Sequence, residues 1–369
     1  MKEIARTPAV LSMLSKWRNW DEFDIFELNR QTSGHPLAVL CHHLLSEMGM
    51  ISRFQLNEEA LARFLLNLED GYRDITYHNN IHAADVMHSV AYYMLNCTET
   101  QPSSTCFGLT KIFKPEDFFY MLLAAAMHDF RHPGFTNSYL VNSGSDLAVT
   151  YNDVSVLEHM HCSEAFQLLK QTELDFMGNF DRAAKSEFRT FVVEAILGTD
   201  MKFHFATVAE MVTWISTAQK ANESKWFQPN ANAGPSIKDR LFFCKVLVHL
   251  ADISTPARPL PIVLEWTERL FEEFYNQGDE EKRLGLPISM LCNRETDNIP
   301  KGQIGFYEFV VKPMFVKMLP ILPCAQKCID QLTANRDYWK GEAARELKEA
   351  EEAETKLKSN IEAENSGTN

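Results

Sequence analysis

The sequence has no excess of positive charge, since its 369 residues include 36 Lys and Arg against 50 Asp and Glu, for a net charge of −14. A protein that binds nucleic acid generally needs a basic surface to neutralise phosphates, so this composition argues against a nucleic-acid partner. It does not argue against a small anionic substrate, because bound divalent cations reverse the local potential inside an acidic protein.

The sequence also lacks paired cysteines and long apolar runs. Its eight cysteines are scattered and form no Cys-x-x-Cys pair, so we expect a reducing compartment rather than a disulfide scaffold. The most apolar run, residues 118–127, is about half as long as a membrane-spanning helix requires. The N-terminal MKEIARTPAVLSMLSKW shows no signal-peptide pattern. We therefore expect a cytoplasmic protein without a membrane segment.

The apolar residues that are present recur at helical spacing. Residues 56–72 place four large apolar side chains on one face, after an Asn57 cap and an acidic first turn. The same pattern is found in residues 185–201, 239–254, 261–278 and 304–320. No stretch alternates with a period of two between hairpin turns. The sequence therefore predicts an all-α, bundle-like fold.

Turn signals are local, and no long flexible linker is present. We expect one compact domain for residues 21–340, preceded by an N-terminal extension, residues 1–20. Residues 341–369 are highly charged with few apolar side chains, which predicts a solvated helix that frays into disorder. A partner-binding helix is the alternative interpretation.

Seven of the twelve histidines lie between residues 78 and 161. His78 and His82 are four residues apart and would share one face of a helix. Taken alone, this pair is better explained as two ordinary hydrogen-bonded histidines of the surface or core.

The apolar run 118–127 ends abruptly in His128 and Asp129, and Pro133-Gly134 then stops the helix. An imidazole and a carboxylate at the end of a buried helix need partners, because unpaired buried polar groups are costly. A divalent metal would satisfy both. Asp252, near the end of another apolar helix, would complete a His/His/Asp/Asp set of the kind that suits zinc or another first-row metal.

Glu158 is a candidate for holding metal-bound water or a ligand histidine, with a helix-surface glutamate as the alternative. The adjacent His159 and His161 are expected on the surface.

Seven segments occur in a fixed order along the chain: YHNNIHAADV, HDFRHPGFTN, YNDVSVLEHMH, GTDM, HLADIS, WTERLFEEFYNQGD and KGQIGFYEFVV. Together they resemble the catalytic domain of the class I cyclic nucleotide phosphodiesterases, from about Phe23 to about Trp339. The resemblance implies a deep pocket with a binuclear metal site. It implies hydrolysis of cAMP, and also of cGMP, to nucleoside 5′-monophosphates, which ends a second-messenger signal. A homodimer is compatible with it.

The resemblance also assigns roles to matching positions. The tight ion, usually Zn²⁺, would be bound by His82, His128, Asp129 and Asp252. Asp129 would also bind a second ion, Mg²⁺ or Mn²⁺, whose water shell would be held by His132, Glu158 and Thr199. A water between the ions would attack phosphorus, and His78 would protonate O3′ as general acid. The nucleotide would contact Tyr77, Thr255, Leu270, Gln303 and Phe306.

The sequence departs from the common pattern at a few positions. Thr255 stands where cAMP-selective members often have Asn, so we expect cAMP and cGMP both to be hydrolysed. Residues 96–115 are longer than expected, which predicts a surface loop.

Two other functions are compatible with part of this pattern. A different HD-type phosphohydrolase, acting on nucleotide mono- or triphosphates, would not need the segment around Gln303 and Phe306. A protein that only binds cyclic nucleotide should have lost a metal ligand or the general acid. The four expected metal ligands and the expected general acid, His78, are all present.

Overall fold

The computed structural model describes residues 4–96, 112–220 and 236–366, and every regular element in these ranges is helical. The predicted all-α fold is therefore confirmed. The helices are α1 (Pro8–Leu14), α2 (Ile25–Gln31), α3 (Pro36–Glu47), α4 (Met50–Arg53), α5 (Glu58–Asp70), α6 (Asn80–Asn96), α7 (Pro115–Met127), α8 (Asn137–Asn142), α9 (Asp146–Thr150), α10 (Val156–Leu169), α11 (Arg182–Leu197), α12 (His204–Lys220), α13 (Ile237–Asp252), α14 (Leu260–Leu284), α15 (Ile299–Phe306), α16 (Lys312–Met318) and α17 (Ala325–Ser366). Short 3-10 turns lie at Ile4–Arg6, Thr172–Leu174, Met201–Phe203 and Thr255–Ala257, and a π-helical turn at Tyr307–Val311 joins α15 to α16.

The helices predicted from apolar spacing are present. Helix α5 begins after Asn57, whose side chain accepts a hydrogen bond from the backbone N–H of Ala60, and two glutamates follow in the first turn. Both features favour a helix start, because the cap satisfies a free N–H and the acids complement the helix dipole. The segment predicted over 304–320 is divided by the π-helical turn.

Helix α7 lies at the centre of the molecule. It packs against α6, α11 and α13, and its residues from Phe119 to Met127 are all buried. A helix that is apolar on every side can be stable only when it is surrounded. The polar residues that follow Met127 are therefore delivered into the interior of the protein.

Both ends of the described chain contribute to the same core. Trp17 and Trp20, within the predicted N-terminal extension, are buried, and Trp20 donates its indole N–H to the Ala257 carbonyl at 2.7 Å. Helix α17 buries Trp339, but every side chain from Leu347 to residue 360 is exposed. Residues 97–111 of the predicted surface loop lie outside the described residues. No helix in the described ranges is both long and apolar enough to cross a membrane.

A buried ion pair joins α6 to the turn after α13. The fully buried Arg258 donates to the Asp85 carboxylate and, at 3.0 Å, to Ser89 Oγ. Trp266 donates its indole N–H to the same carboxylate at 3.1 Å. Asp85 lies nearly one turn after His82 on α6. The Arg258–Asp85 ion pair therefore fixes the position of His82 relative to the end of α13.

Asp85→Ala should lower the free energy of unfolding by about 3–5 kcal/mol, because it leaves a buried guanidinium without its counter-charge. Chemical denaturation measures this difference. Asp337→Ala is the control, since the Asp337 side chain is 60% exposed and its one ion pair among the described residues is with the adjacent Arg336. Equal denaturation midpoints for the two variants would contradict this role of the ion pair.

Candidate active site

Two histidines and two aspartates bring four ligand atoms together. His82 lies on α6, His128 and Asp129 directly follow α7, and Asp252 is the last residue of α13. One ligand atom from each lies within 4.8 Å of all the others. His82 Nε2 is 3.1 Å from Asp252 Oδ1, and His128 Nε2 is 3.1 Å from Asp129 Oδ2 and 3.3 Å from Asp252 Oδ1.

This spacing fits one bound metal ion. Ligand atoms at the usual bond length from one ion lie roughly 3.0 to 3.4 Å apart in octahedral or tetrahedral coordination. His128 Nδ1–H donates to the Ala125 carbonyl at 2.8 Å, which turns Nε2 toward the carboxylates. That Nε2 atom is buried and has no hydrogen bond of good geometry in the described part of the chain. A metal ion would satisfy it.

The electrostatics of this cluster favour a cation. Burial lowers the pKa of His128, but the charges of Asp129 and Asp252 outweigh burial and raise it well above its usual value. Burial likewise opposes ionisation of Asp129, and the His128 charge overcomes it and holds the Asp129 pKa well below its usual value. Positive charge is thus drawn to the space between the carboxylates.

A second group of ligand atoms lies on the other side of Asp129. His132 and His161 each place a ring nitrogen within 4.8 Å of an Asp129 oxygen. The backbone N–H of Gly134 donates to His132 Nδ1 at 3.0 Å, so a neutral His132 carries its hydrogen on Nε2. Burial and the charge of His78 lower the pKa of His132 well below its usual value.

The prediction that His161 lies on the surface is wrong. It is 1% exposed, its Nδ1–H donates to the Phe130 carbonyl at 2.7 Å, and its Nε2 lies 3.5 Å from Asp129 Oδ1. His161 follows Glu158 by three residues on α10, so the two side chains share a face. That spacing was the sequence signal that could have identified it.

Glu158 and Thr199 line the same cavity as Asp129 and His132. Glu158 accepts hydrogen bonds from the side-chain amide of Asn137 at 3.0 and 3.2 Å. Burial raises the pKa of Glu158 to about 7, and the charges of Asp200 and Asp129 add to the effect. A buried acid that titrates near neutrality suits the binding of ordered water. The alternative interpretation of Glu158 as a surface residue is wrong.

His78 precedes α6 by two residues, so the prediction that it shares a helix face with His82 is wrong. The two imidazole rings nevertheless lie close together, with centroids 5.7 Å apart. His78 Nδ1 is hydrogen-bonded to Glu273, which also accepts from the backbone N–H groups of Tyr77 at 2.9 Å and His78 at 3.2 Å.

Glu273 sets the charge of His78. Burial lowers the pKa of His78, but the charge and hydrogen bond of Glu273, with smaller contributions from Asp129 and Asp252, raise it to about 9. The ring is therefore a cation at neutral pH, and within the described ranges no residue accepts a hydrogen bond from its Nε2–H. Sequence reasoning missed Glu273, because α14 contains several acids and only the fold shows which of them contacts His78.

The predicted nucleotide-binding residues converge on the same cavity, whose volume is about 820 Å³. They are Tyr77, Thr255, Leu270, Gln303 and Phe306. The Tyr77 hydroxyl lies 3.5 Å from Thr255 Oγ1. Gln303 is 6% exposed, and its amide makes no hydrogen bond to another residue in the described ranges. Asp129 and Asp252 of the His/Asp cluster line this same cavity.

A helical bundle whose deep pocket ends in clustered histidines and aspartates is the arrangement of a metal-dependent hydrolase. Residues 77–332 match the family described as 3′5′-cyclic nucleotide phosphodiesterase, and the chain belongs to that family. The family resemblance predicted from the seven segments is confirmed.

Two curated relatives illustrate the match. The protein named "Probable 3′,5′-cyclic-AMP phosphodiesterase pde-4" of Caenorhabditis elegans is 35% identical over 317 residues, which are 86% of this chain and 45% of the relative. The 3′,5′-cyclic-AMP phosphodiesterase 4C of Rattus norvegicus is 34% identical over 318 residues, 86% of this chain and 56% of the relative. The chain thus spans about half the length of these relatives.

A solved structure has the same fold. It is the phosphodiesterase domain of the Salpingoeca rosetta rhodopsin phosphodiesterase, with a TM-score of 0.77 and 28% sequence identity. The match covers 95% of this chain and 97% of that domain.

We predict that His128→Ala and Asp252→Ala will each bind much less metal, because each removes one of the four atoms that would ligate the ion. Elemental analysis of the purified, folded proteins measures the loss. His159→Ala is the matched control, since this half-buried histidine stacks on Tyr151 and contributes to neither metal cluster. Full metal content in either ligand variant would exclude that residue as a ligand.

Proposed function

We propose that this protein hydrolyses 3′,5′-cyclic AMP to adenosine 5′-monophosphate with the help of two divalent ions. The main support is that one cavity is lined both by Asp129 and Asp252 of the His/Asp cluster and by Gln303 and Phe306. The two relatives named above are cyclic-AMP phosphodiesterases, which supports the same substrate. Such an activity would end a cyclic-nucleotide signal.

The tight site would hold Zn²⁺ and the site beside Asp129 would hold Mg²⁺ or Mn²⁺. Divalent ions supply positive charge against the phosphate oxygens and lower the pKa of bound water. Asp129 and Asp252 provide the negative charge that retains them. His132, Glu158 and Thr199 would hydrogen-bond to ordered water on the side of Asp129, where all three line the cavity.

His78 would donate a proton to O3′ as the bond to phosphorus breaks. Its Nε2–H is free to donate because Nδ1 is hydrogen-bonded to Glu273. The negative charge of Glu273 stabilises the imidazolium, so the proton is present at neutral pH. Glu273 is therefore a positioning residue that holds the ring and sets its charge.

Phe306 and Leu270 would hold the two faces of the base, and Gln303 would hydrogen-bond to its edge. An amide has one acceptor oxygen and two donor hydrogens, so a rotatable glutamine can pair with adenine or guanine. The lack of any hydrogen bond from Gln303 to the described residues favours such rotation. We therefore propose cyclic GMP as a second substrate.

We also propose an organisation for the chain. Residues 21–340 would form the catalytic domain, residues 1–20 an extension whose tryptophans complete its core, and residues 341–369 a charged tail. The protein would act in the cytoplasm on a small-molecule substrate, with a homodimer as its possible assembly.

Incubation of the metal-loaded protein with cyclic AMP should yield 5′-AMP, and cyclic GMP should be hydrolysed with a kcat/KM within a hundredfold of that for cyclic AMP. One unpaired buried polar group costs roughly 1–3 kcal/mol, which limits the discrimination to one or two decades. Chromatography of the products measures both rates.

A preference above a hundredfold would contradict the second substrate and would imply a locked Gln303. Hydrolysis of nucleoside mono- or triphosphates with cyclic AMP left intact would instead favour the different HD-type phosphohydrolase.

His78→Ala should slow cyclic AMP hydrolysis by roughly 10²- to 10⁴-fold, the usual contribution of a general acid, with unchanged metal content.

Glu273→Gln should move the alkaline limb of the pH profile of kcat/KM to lower pH. The reason is that activity is lost as His78 deprotonates, and removing the Glu273 charge lowers the pKa of His78. Metal ions bound to Asp129 and Asp252 would offset the contribution of these two carboxylates to the pKa of His78. The contribution of Glu273 to that pKa would remain.

The control for Glu273→Gln is Glu272→Gln, because Glu272 is an exposed neighbour on α14 and its substitution should leave the alkaline limb in place.

The general-acid role of His78 is tested with a second substrate. Hydrolysis of a substrate with a better leaving group, such as bis(4-nitrophenyl) phosphate, should be slowed less by His78→Ala. Equal losses on both substrates would exclude the general-acid role.

A further inference from the structure

A chain of buried and half-buried hydrogen bonds runs along α14 from the loop after His132 to the turn at Ser289. The backbone N–H of Thr136, four residues after His132, donates to Gln277 Oε1 at 2.9 Å. The Gln277 amide donates to Glu281 Oε1 at 2.9 Å. Glu281 also accepts from the backbone N–H and the hydroxyl of Ser289, each at 2.6 Å.

Glu281 is a buried carboxylate whose partners are all uncharged. It is 1% exposed, as is Gln277, and no Lys or Arg forms an ion pair with it in the described residues. A buried charge is costly unless hydrogen bonds satisfy it, and three protein donors do so here. Such an arrangement fixes the positions of the groups that donate to it.

The group fixed by Glu281 is the turn that begins at Ser289. Two residues later, Leu291 has a φ of +66°, in the left-handed region that a leucine rarely adopts. Such a conformation persists only where its surroundings determine it. The turn also packs directly on α14, because a Cβ atom on Gly278 would overlap the Cys292 backbone.

Leu291 lines the pocket beside Gly302, Gln303 and Phe306. Its Cδ2 would lie 3.2 Å from a Cβ atom placed on Gly302, so the leucine packs against the helix that carries the proposed base-binding residues. A shift of the turn at Ser289 would therefore move one wall of this end of the pocket.

We propose that Glu281 is a positioning residue for the nucleobase. Through Ser289 it holds the turn that presents Leu291 to the base, and through Gln277 it ties that turn to the loop that follows His132. Glu281 itself does not line the cavity, whereas Gln277 and Leu291 do. The inference rests on the proposed function, because it assumes that the base occupies the Gln303 end.

The test is Glu281→Gln, which keeps the shape of the side chain but replaces one acceptor oxygen with a donor amide. Hydrolysis of cyclic AMP should show a KM raised roughly tenfold, equivalent to about 1.4 kcal/mol, with little change in kcat. Hydrolysis of bis(4-nitrophenyl) phosphate, which has no nucleobase, should be unchanged, as should metal content. A merely structural role would affect both substrates alike.

Two further variants test the same inference, one as a control and one that displaces Leu291 independently of Glu281. Glu280→Gln changes the neighbouring acid, which pairs with Arg283 on the surface, and should match the wild type. Gly302→Ala leaves Glu281 in place but pushes on Leu291 from the other side, so it should raise KM for cyclic AMP in the same way. Should Glu281→Gln fail to fold, Ser289→Ala removes only the hydroxyl donor and should raise KM less.

An unchanged KM in folded Glu281→Gln, or an equal loss on both substrates, would overturn the inference while leaving the proposed function intact. A wild-type protein that does not hydrolyse cyclic AMP would overturn the proposed function, and this inference with it.

Discussion

The attraction of two closely spaced carboxylates for a cation organises the pocket. Asp129 and Asp252 end two different core helices and share a small volume with His82 and His128. Like charges this close in a poorly solvated site need positive charge between them. The apolar α7 and the Arg258–Asp85 ion pair hold the ligand atoms at the spacing of a metal site, so the stable core and the reactive site depend on the same helices.

Beside this cluster, two stacked imidazoles are given opposite protonation states. The His78 and His132 rings lie 4.0 Å apart and nearly parallel. Glu273 keeps His78 charged, whereas burial and the neighbouring His78 charge keep His132 neutral. One ring can therefore give up a proton while the other hydrogen-bonds to water, which is how paired environments divide acid and base roles.

The sequence predicted those parts of the site that are marked locally. His128 and Asp129 stand at the abrupt end of an apolar run, and the helices follow from apolar spacing. Glu273 and Glu281 carry no such mark, because the contact between His78 and Glu273 spans 195 residues and the burial of Glu281 depends on a distant turn. His161 is an intermediate example. The sequence shows its three-residue spacing from Glu158, but it does not show that this face of the helix is buried. Family resemblance, rather than local pattern, supplied Gln303 and Phe306.

The most direct measurement of the central claim is the position of bond cleavage in cyclic AMP. Hydrolysis in ¹⁸O-labelled water, followed by phosphorus NMR and mass spectrometry, should give 5′-AMP with one ¹⁸O atom on phosphorus, and a chelator should abolish the product. This result is expected if water attacks phosphorus at the metal end while His78 protonates O3′. Formation of 3′-AMP, or of 5′-AMP at an undiminished rate after complete metal removal, would contradict the account.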